Sequence, residues 1–204
     1  MKKVKIKICG LKQKEDVEFL NKFPVDYIGF IMYPPSPRYV GDSLSELISR
    51  VEKAKKVVVF VNPTYEEIKK VLDCGADLIQ LHGDENLEFA KKIGLNKVIK
   101  AFRIKNNFTS IEFLEEWRDA YGVLLDAYKP GVPGGTGETF NWNIAKIAVL
   151  KGLRVFLAGG ISPENIQKAI EEVKPYAIDI ASGVESEPGK KDHKKIEQIF
   201  KVLS

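Results

Sequence analysis

The chain has 204 residues, with 32 basic and 28 acidic side chains, a net charge of +4 and 44% hydrophobic residues. That composition suits a single domain over residues 1–204 with a proper core, and it excludes disordered and fibrous classes. The small, dispersed positive excess argues against a nucleic-acid surface but suits a pocket for an anionic small molecule. The two cysteines and two histidines allow neither a disulfide framework nor a His-rich metal site.

The start "MKKVKIKICG" is basic without the apolar segment of a signal peptide. No apolar run approaches the ~20 residues that span a bilayer. A cytoplasmic chain with no membrane partner is expected. From there, short apolar runs recur along the sequence: "KIKIC" (5–9), "YIGFIM" (27–32), "VVVFV" (57–61), "LIQLH" (78–82), "KVIKAF" (97–102), "GVLLDA" (122–127), "RVFLAG" (154–159) and "AIDIAS" (177–182). Such runs suit strands buried on both faces of a parallel sheet.

Helix-period segments separate them. "KEDVEFLNKF" turns Val17, Phe19 and Leu20 toward a core, "SLSELISRVEK" turns Leu44, Leu47, Ile48 and Val51, and "TYEEIKKVLD" turns Tyr65, Ile68, Val71 and Leu72. "SIEFLEEWRDAY" follows with Ile111, Leu114 and Trp117. "SPENIQKAIEEV" offers Ser162 as N-cap with Pro163 at the first helical position, and "DHKKIEQIFKVL" closes the chain. Eight near-equal strand–helix units without a long linker predict a closed single-domain (β/α)8 TIM barrel rather than an open doubly wound sheet.

In such a barrel, function sits at the carboxyl ends of the strands. There "AGGISPENI" and "ASGVESEPG" bring Gly159, Gly160, Ser182 and Gly183 to loops seven and eight, where backbone N–H groups can approach a phosphate. Arg38, in the proline-stiffened "PPSPRYV", is either an exposed fork for a substrate carboxylate or a solvated loop residue. Asp126 ends an apolar strand, where desolvation favours the protonated acid, or else it caps a loop. Asp179 faces the barrel interior, to orient a substrate hydroxyl or to satisfy buried donors. His82 either binds substrate or is a satisfied strand-end histidine. Cys9, at the end of the first strand, is either inert packing or a thiolate base, which needs help from a cation or from helix-terminus donors. Cys74 reads as structural.

Taken together, "KIKICGL", "YPPSPRYV", "IQLHGDE", "LLDAY…GGTGETFNW", "LAGGISPENI" and "DIASGVESEPGKKDH" resemble the phosphoribosylanthranilate isomerase family of tryptophan biosynthesis, in that family's order and over essentially the whole chain. The resemblance implies an Amadori rearrangement of N-(5-phosphoribosyl)anthranilate, without cofactor or metal, by a monomer or homodimer. It puts the general base on Cys9 and the general acid on Asp126. It sets Arg38 against the anthranilate carboxylate and the phosphate on Gly159–Gly160 and Ser182–Gly183, with Gly134, Gly135, Thr136 and Gly137 closing over the substrate. Lys12, Glu138 and Asn141 depart from the usual family residues. The alternatives are a different phosphosugar isomerase or a non-catalytic phosphosugar-binding barrel.

Overall fold

A computed structural model describes residues 4–104, 110–126 and 142–204. Eight parallel strands close on themselves in sequence order: β1 (Lys5–Cys9), β2 (Tyr27–Ile31), β3 (Lys55–Phe60), β4 (Leu78–Leu81), β5 (Val98–Arg103), β6 (Gly122–Asp126), β7 (Val155–Ala158) and β8 (Ala177–Ile180). Closure is made by β1 against β8, with Lys7 opposite Asp179 and Ile8 opposite Ile180. The connecting helices are α1 (Lys14–Leu20), α2 (Leu44–Ser49), α3 (Tyr65–Asp73), α4 (Leu87–Ile93), α5 (Glu112–Glu115), α6 (Asn143–Leu150), α7 (Ile166–Val173) and α8 (His193–Val202). This is the expected (β/α)8 TIM barrel, with one addition: a hairpin of β9 (Glu185–Glu187) and β10 (Lys190–Lys191) between β8 and α8.

The apolar runs are explained by two cores sharing each strand. Outward residues such as Ile6, Ile8, Val58 and Leu157 pack under the helices, while Tyr27, Val57, Leu78, Ile99, Leu124 and Phe156 fill the barrel interior. Period-2 alternation therefore separates two buried faces rather than core from solvent.

Some boundaries differ from the sequence reading. α7 begins at Ile166, with Asn165 in the N-cap position, not at Pro163. The expected cap, Ser162, spends its hydroxyl on Glu164 instead of a helix N–H, and its own N–H donates to Asn165 Oδ1 at 2.9 Å. Tyr65, expected in the core, is 44% exposed. It is the first residue of α3, beside the Thr64–Glu67 capping box, and the inward stripe starts only at Ile68. The predicted helix over 110–121 shrinks to Glu112–Glu115, followed by turns. Cys74 is not packed but exposed, at the end of α3.

Candidate active site

Alternation along β1 turns Lys5, Lys7 and Cys9 inward and Ile6 and Ile8 outward. Two glycines make the space that Cys9 and its neighbours need. Gly29 is the ladder partner of Cys9 on β2, and a Cβ there would lie 2.6 Å from Cys9 Sγ. Gly10 holds φ at +79°, and a Cβ there would meet Arg38 Cδ at 2.6 Å. The thiol and the stem of Arg38 thus fit against two positions that have no side chain.

The sequence reading missed Lys7, although it is the first letter of "KICG". It is fully buried, and its ammonium donates to Asp179 Oδ1 at 2.8 Å. Burial works against its charge, but Asp179 and Cys9 more than restore it and hold Lys7 above the usual lysine value. For Cys9, burial is the largest influence and pushes the thiol up, as does Asp179; Lys7 and Lys191 pull it down without overcoming burial. Alternation could have found Lys7, since a lysine two residues before an inward cysteine must share its face.

Arg38 does not hang free over the mouth. Its guanidinium lies side-on against Glu185, with Nε donating to Oε1 at 2.8 Å and Nη2 to Oε2 at 2.6 Å. Glu185 also accepts from Lys191 Nζ at 2.9 Å. That same ammonium donates to the carbonyls of Cys9 (2.6 Å) and Ala181 (3.1 Å), so its three protons tie Glu185 to the ends of β1 and β8. Burial works against the Glu185 charge, yet Arg38 and Lys191 keep its carboxyl below the usual glutamate range. Neither Glu185 nor Lys191 was singled out from the sequence. They sit on the β9–β10 hairpin, whose return over the first strand no local pattern announces.

On the far side of the mouth, Asp126 ends β6 with its side chain 23% exposed, and His82 Nε2 lies 3.6 Å from its Oδ2. The other ring nitrogen of His82 is 3.1 Å from Gln80 Nε2. Gln80 is buried, and its Oε1 has no partner among the described residues. Asp179 accepts from the buried Lys7 ammonium.

Loops seven and eight meet as expected. Gly160 adopts φ +66°, and a Cβ there would touch nothing within 4 Å, so its outer face is open. A Cβ at Gly183 would run into the Ile161 carbonyl oxygen at 1.9 Å, so the two turns are packed backbone to backbone. Ser182–Val184 forms a 3-10 turn whose first N–H groups have no preceding carbonyls within it. Asn165 Nδ2 fixes the Gly160 carbonyl at 2.8 Å. Gly134, Gly135, Thr136 and Gly137 lie outside the described residues. A cavity of about 620 Å³ opens beside His82, Arg103 and Trp117. One of about 670 Å³ lies at the opposite end, between β1 and α8, away from the groups just described.

The family model for N-(5'-phosphoribosyl)anthranilate (PRA) isomerase matches residues 6–202. The chain belongs to that family. The N-(5'-phosphoribosyl)anthranilate isomerase of Aquifex aeolicus (strain VF5) is 52% identical over 201 residues, covering 97% of each chain. The crystal structure of phosphoribosyl anthranilate isomerase from Thermotoga maritima superposes with a TM-score of 0.89 at 36% identity, over 98% of both chains. A structure of the enzyme in complex with reduced 1-(o-carboxyphenylamino)-1-deoxyribulose 5-phosphate gives 0.82 at 34% identity over 97% of both. The chain is accordingly an isomerase of tryptophan biosynthesis. Among the described residues no helix is long and apolar enough to cross a membrane.

Proposed function

We propose that the chain, acting as one cytoplasmic domain without cofactor or metal, converts N-(5-phosphoribosyl)anthranilate to 1-(2-carboxyphenylamino)-1-deoxyribulose 5-phosphate, with Cys9 as general base and Asp126 as general acid. The observation that carries this reading is the placement of the two groups. Both are inward residues at strand carboxyl ends, one enclosed beside two buried ammoniums, the other partly open to the mouth beside His82.

Protonated Asp126 donates to the ribose ring oxygen as the C1′–O bond breaks, and the anthranilate nitrogen becomes a cationic Schiff base. That charge acidifies the C2′ proton, which the Cys9 thiolate removes. The resulting enolamine tautomerises to the ketone, so no atom is gained or lost. The reaction needs Asp126 to give a proton and Cys9 to take one. The open face of Gly160 and the first N–H groups of the Ser182–Val184 turn suit the substrate phosphate. Arg38, pinned by Glu185 along its Nε–Nη2 edge, would present its Nη1 edge to the anthranilate carboxylate.

The test follows substrate fluorescence, with the substrate generated in situ from anthranilate and phosphoribosyl pyrophosphate. Rapid decay is expected with the unaltered chain. Cys9→Ala and Asp126→Asn should each slow it by about 10²-fold or more while still binding a product analogue. Turnover near the unaltered rate in either variant overturns the assignment. Saturable binding without any turnover by the unaltered chain would instead favour a phosphosugar-binding barrel.

A further inference from the structure

Lys7 is fully buried at the centre of the barrel, where an ammonium is costly unless paired. Below it the interior is closed by Leu78, Ile99, Leu124 and Phe156. A methionine at position 7 with a leucine at 179 would continue that packing, and exchanges of buried ion pairs for apolar residues are often neutral or stabilising. Stability therefore does not explain the pair. The position of Cys9, two residues further along the same inward face, does.

The charged groups facing the thiol come from every element packed against it. Lys7 comes from its own strand, Asp179 from β8, Lys191 and its partner Glu185 from the hairpin, and Arg38 from the loop after β2. From β2 itself there is only Gly29. Among the described residues, three cations thus face two carboxylates. The set is short of one negative charge, and a Cys9 thiolate supplies it.

We infer that Lys7, oriented by Asp179, is a positioning residue that stabilises the thiolate of Cys9. This rests on Cys9 being the base of the proposed reaction, but it is tested on the thiol directly. In the full chain carrying Cys74→Ser, which leaves Cys9 as the one cysteine, ¹³Cβ-cysteine NMR follows the ionisation of Cys9 with pH. Lys7→Met removes the neighbouring cation and should move the midpoint up by about one unit or more, about a tenfold loss of thiolate below it. Asp179→Asn removes a carboxylate and should move the midpoint down. The acid limb of kcat should shift in the same two directions, with KM changing less.

A merely structural pair would not give opposite signs. Unmoved midpoints, or two shifts of the same sign, overturn the inference. If Lys7→Met fails to fold by circular dichroism, Asp179→Asn decides alone, with a lowered midpoint supporting the inference and an unchanged or raised one refuting it. Failure of the base assignment is read separately, as turnover that survives Cys9→Ala.

Discussion

The two ends of the barrel solve the same problem differently. At the amino end, Tyr27, Tyr121 and Tyr176 bring their hydroxyls together, at 2.8 and 3.2 Å from Tyr27. Their rings pack on Phe156, with Lys5, Lys55 and Arg154 over the aromatic faces. The three phenols there satisfy one another, and burial pushes the Tyr27 hydroxyl far above the usual tyrosine range. Around Cys9 at the carboxyl end the polar groups are ionic: the buried Lys7 with Asp179, and Arg38 and Lys191 with Glu185. One end closes the barrel with matched donors and acceptors. The other holds, among the described residues, more cations than carboxylates around a thiol, an arrangement that costs stability and is balanced by a further anion.

The variant expected to disturb this contrast most is Glu185→Ala. It strips one carboxylate from two cations, and breaking a buried pair by removing one partner typically costs about 3–5 kcal/mol. Chemical denaturation should show that loss, together with a raised KM as Arg38 loses its orientation. Glu185→Gln gives the pH signature. The folded-state carboxyl lies below its unfolded value of about 4.3, so its contribution is complete above that value and is lost as the pH falls through the lower folded value. Removing the charge should flatten that acid limb of the stability profile. An unchanged limb would show that the cations are screened rather than paired.

A second variant attacks the space around the thiol. Gly29→Ala places a methyl 2.6 Å from Cys9 Sγ, and such overpacking typically costs about 1–3 kcal/mol. It should displace the sulfur and lower kcat more than it raises KM. In the Gly29→Ala/Cys9→Ala double variant the 2.6 Å contact with the sulfur is gone but the 3.1 Å contacts with Cα and Cβ of residue 9 stay, so the stability cost should fall only in part. A cost that persists unchanged would place the strain in the β1–β2 backbone.

Which parts could be read from the sequence follows from the range of the interactions. The strands were legible because burial on both faces makes each run apolar regardless of its partners. The strand-end candidates followed once the fold was expected, since Cys9, His82, Asp126 and the paired glycines all lie where a run stops. What escaped depends on contacts distant along the chain. Arg38 was expected to be free, as a carboxylate fork or a solvated loop residue, because its partner lies 147 residues away. Lys7 went unnoticed because its partner, Asp179, is 172 residues away. The start of α7 moved because the Ser162 hydroxyl had a choice of acceptors, and composition does not decide between Glu164 and a helix N–H.

The smallest effect tests the amino end. Tyr27→Phe keeps the ring and its edge contact with Phe156 but removes the hydroxyl that joins the other two phenols. Tyr121 and Tyr176 are only half-buried, so water can replace part of what they lose, and the net cost of a lost hydrogen bond is about 1 kcal/mol. Thermal unfolding should show that decrease. Substrate decay should run at the unaltered rate, because Tyr27 begins β2 while Cys9 ends β1, on opposite ends of the barrel. The contrast between the ends requires this result. A change in kcat with only a modest shift in melting would mean that the tyrosine cluster is coupled to the mouth through Lys7, the ladder partner of Tyr27.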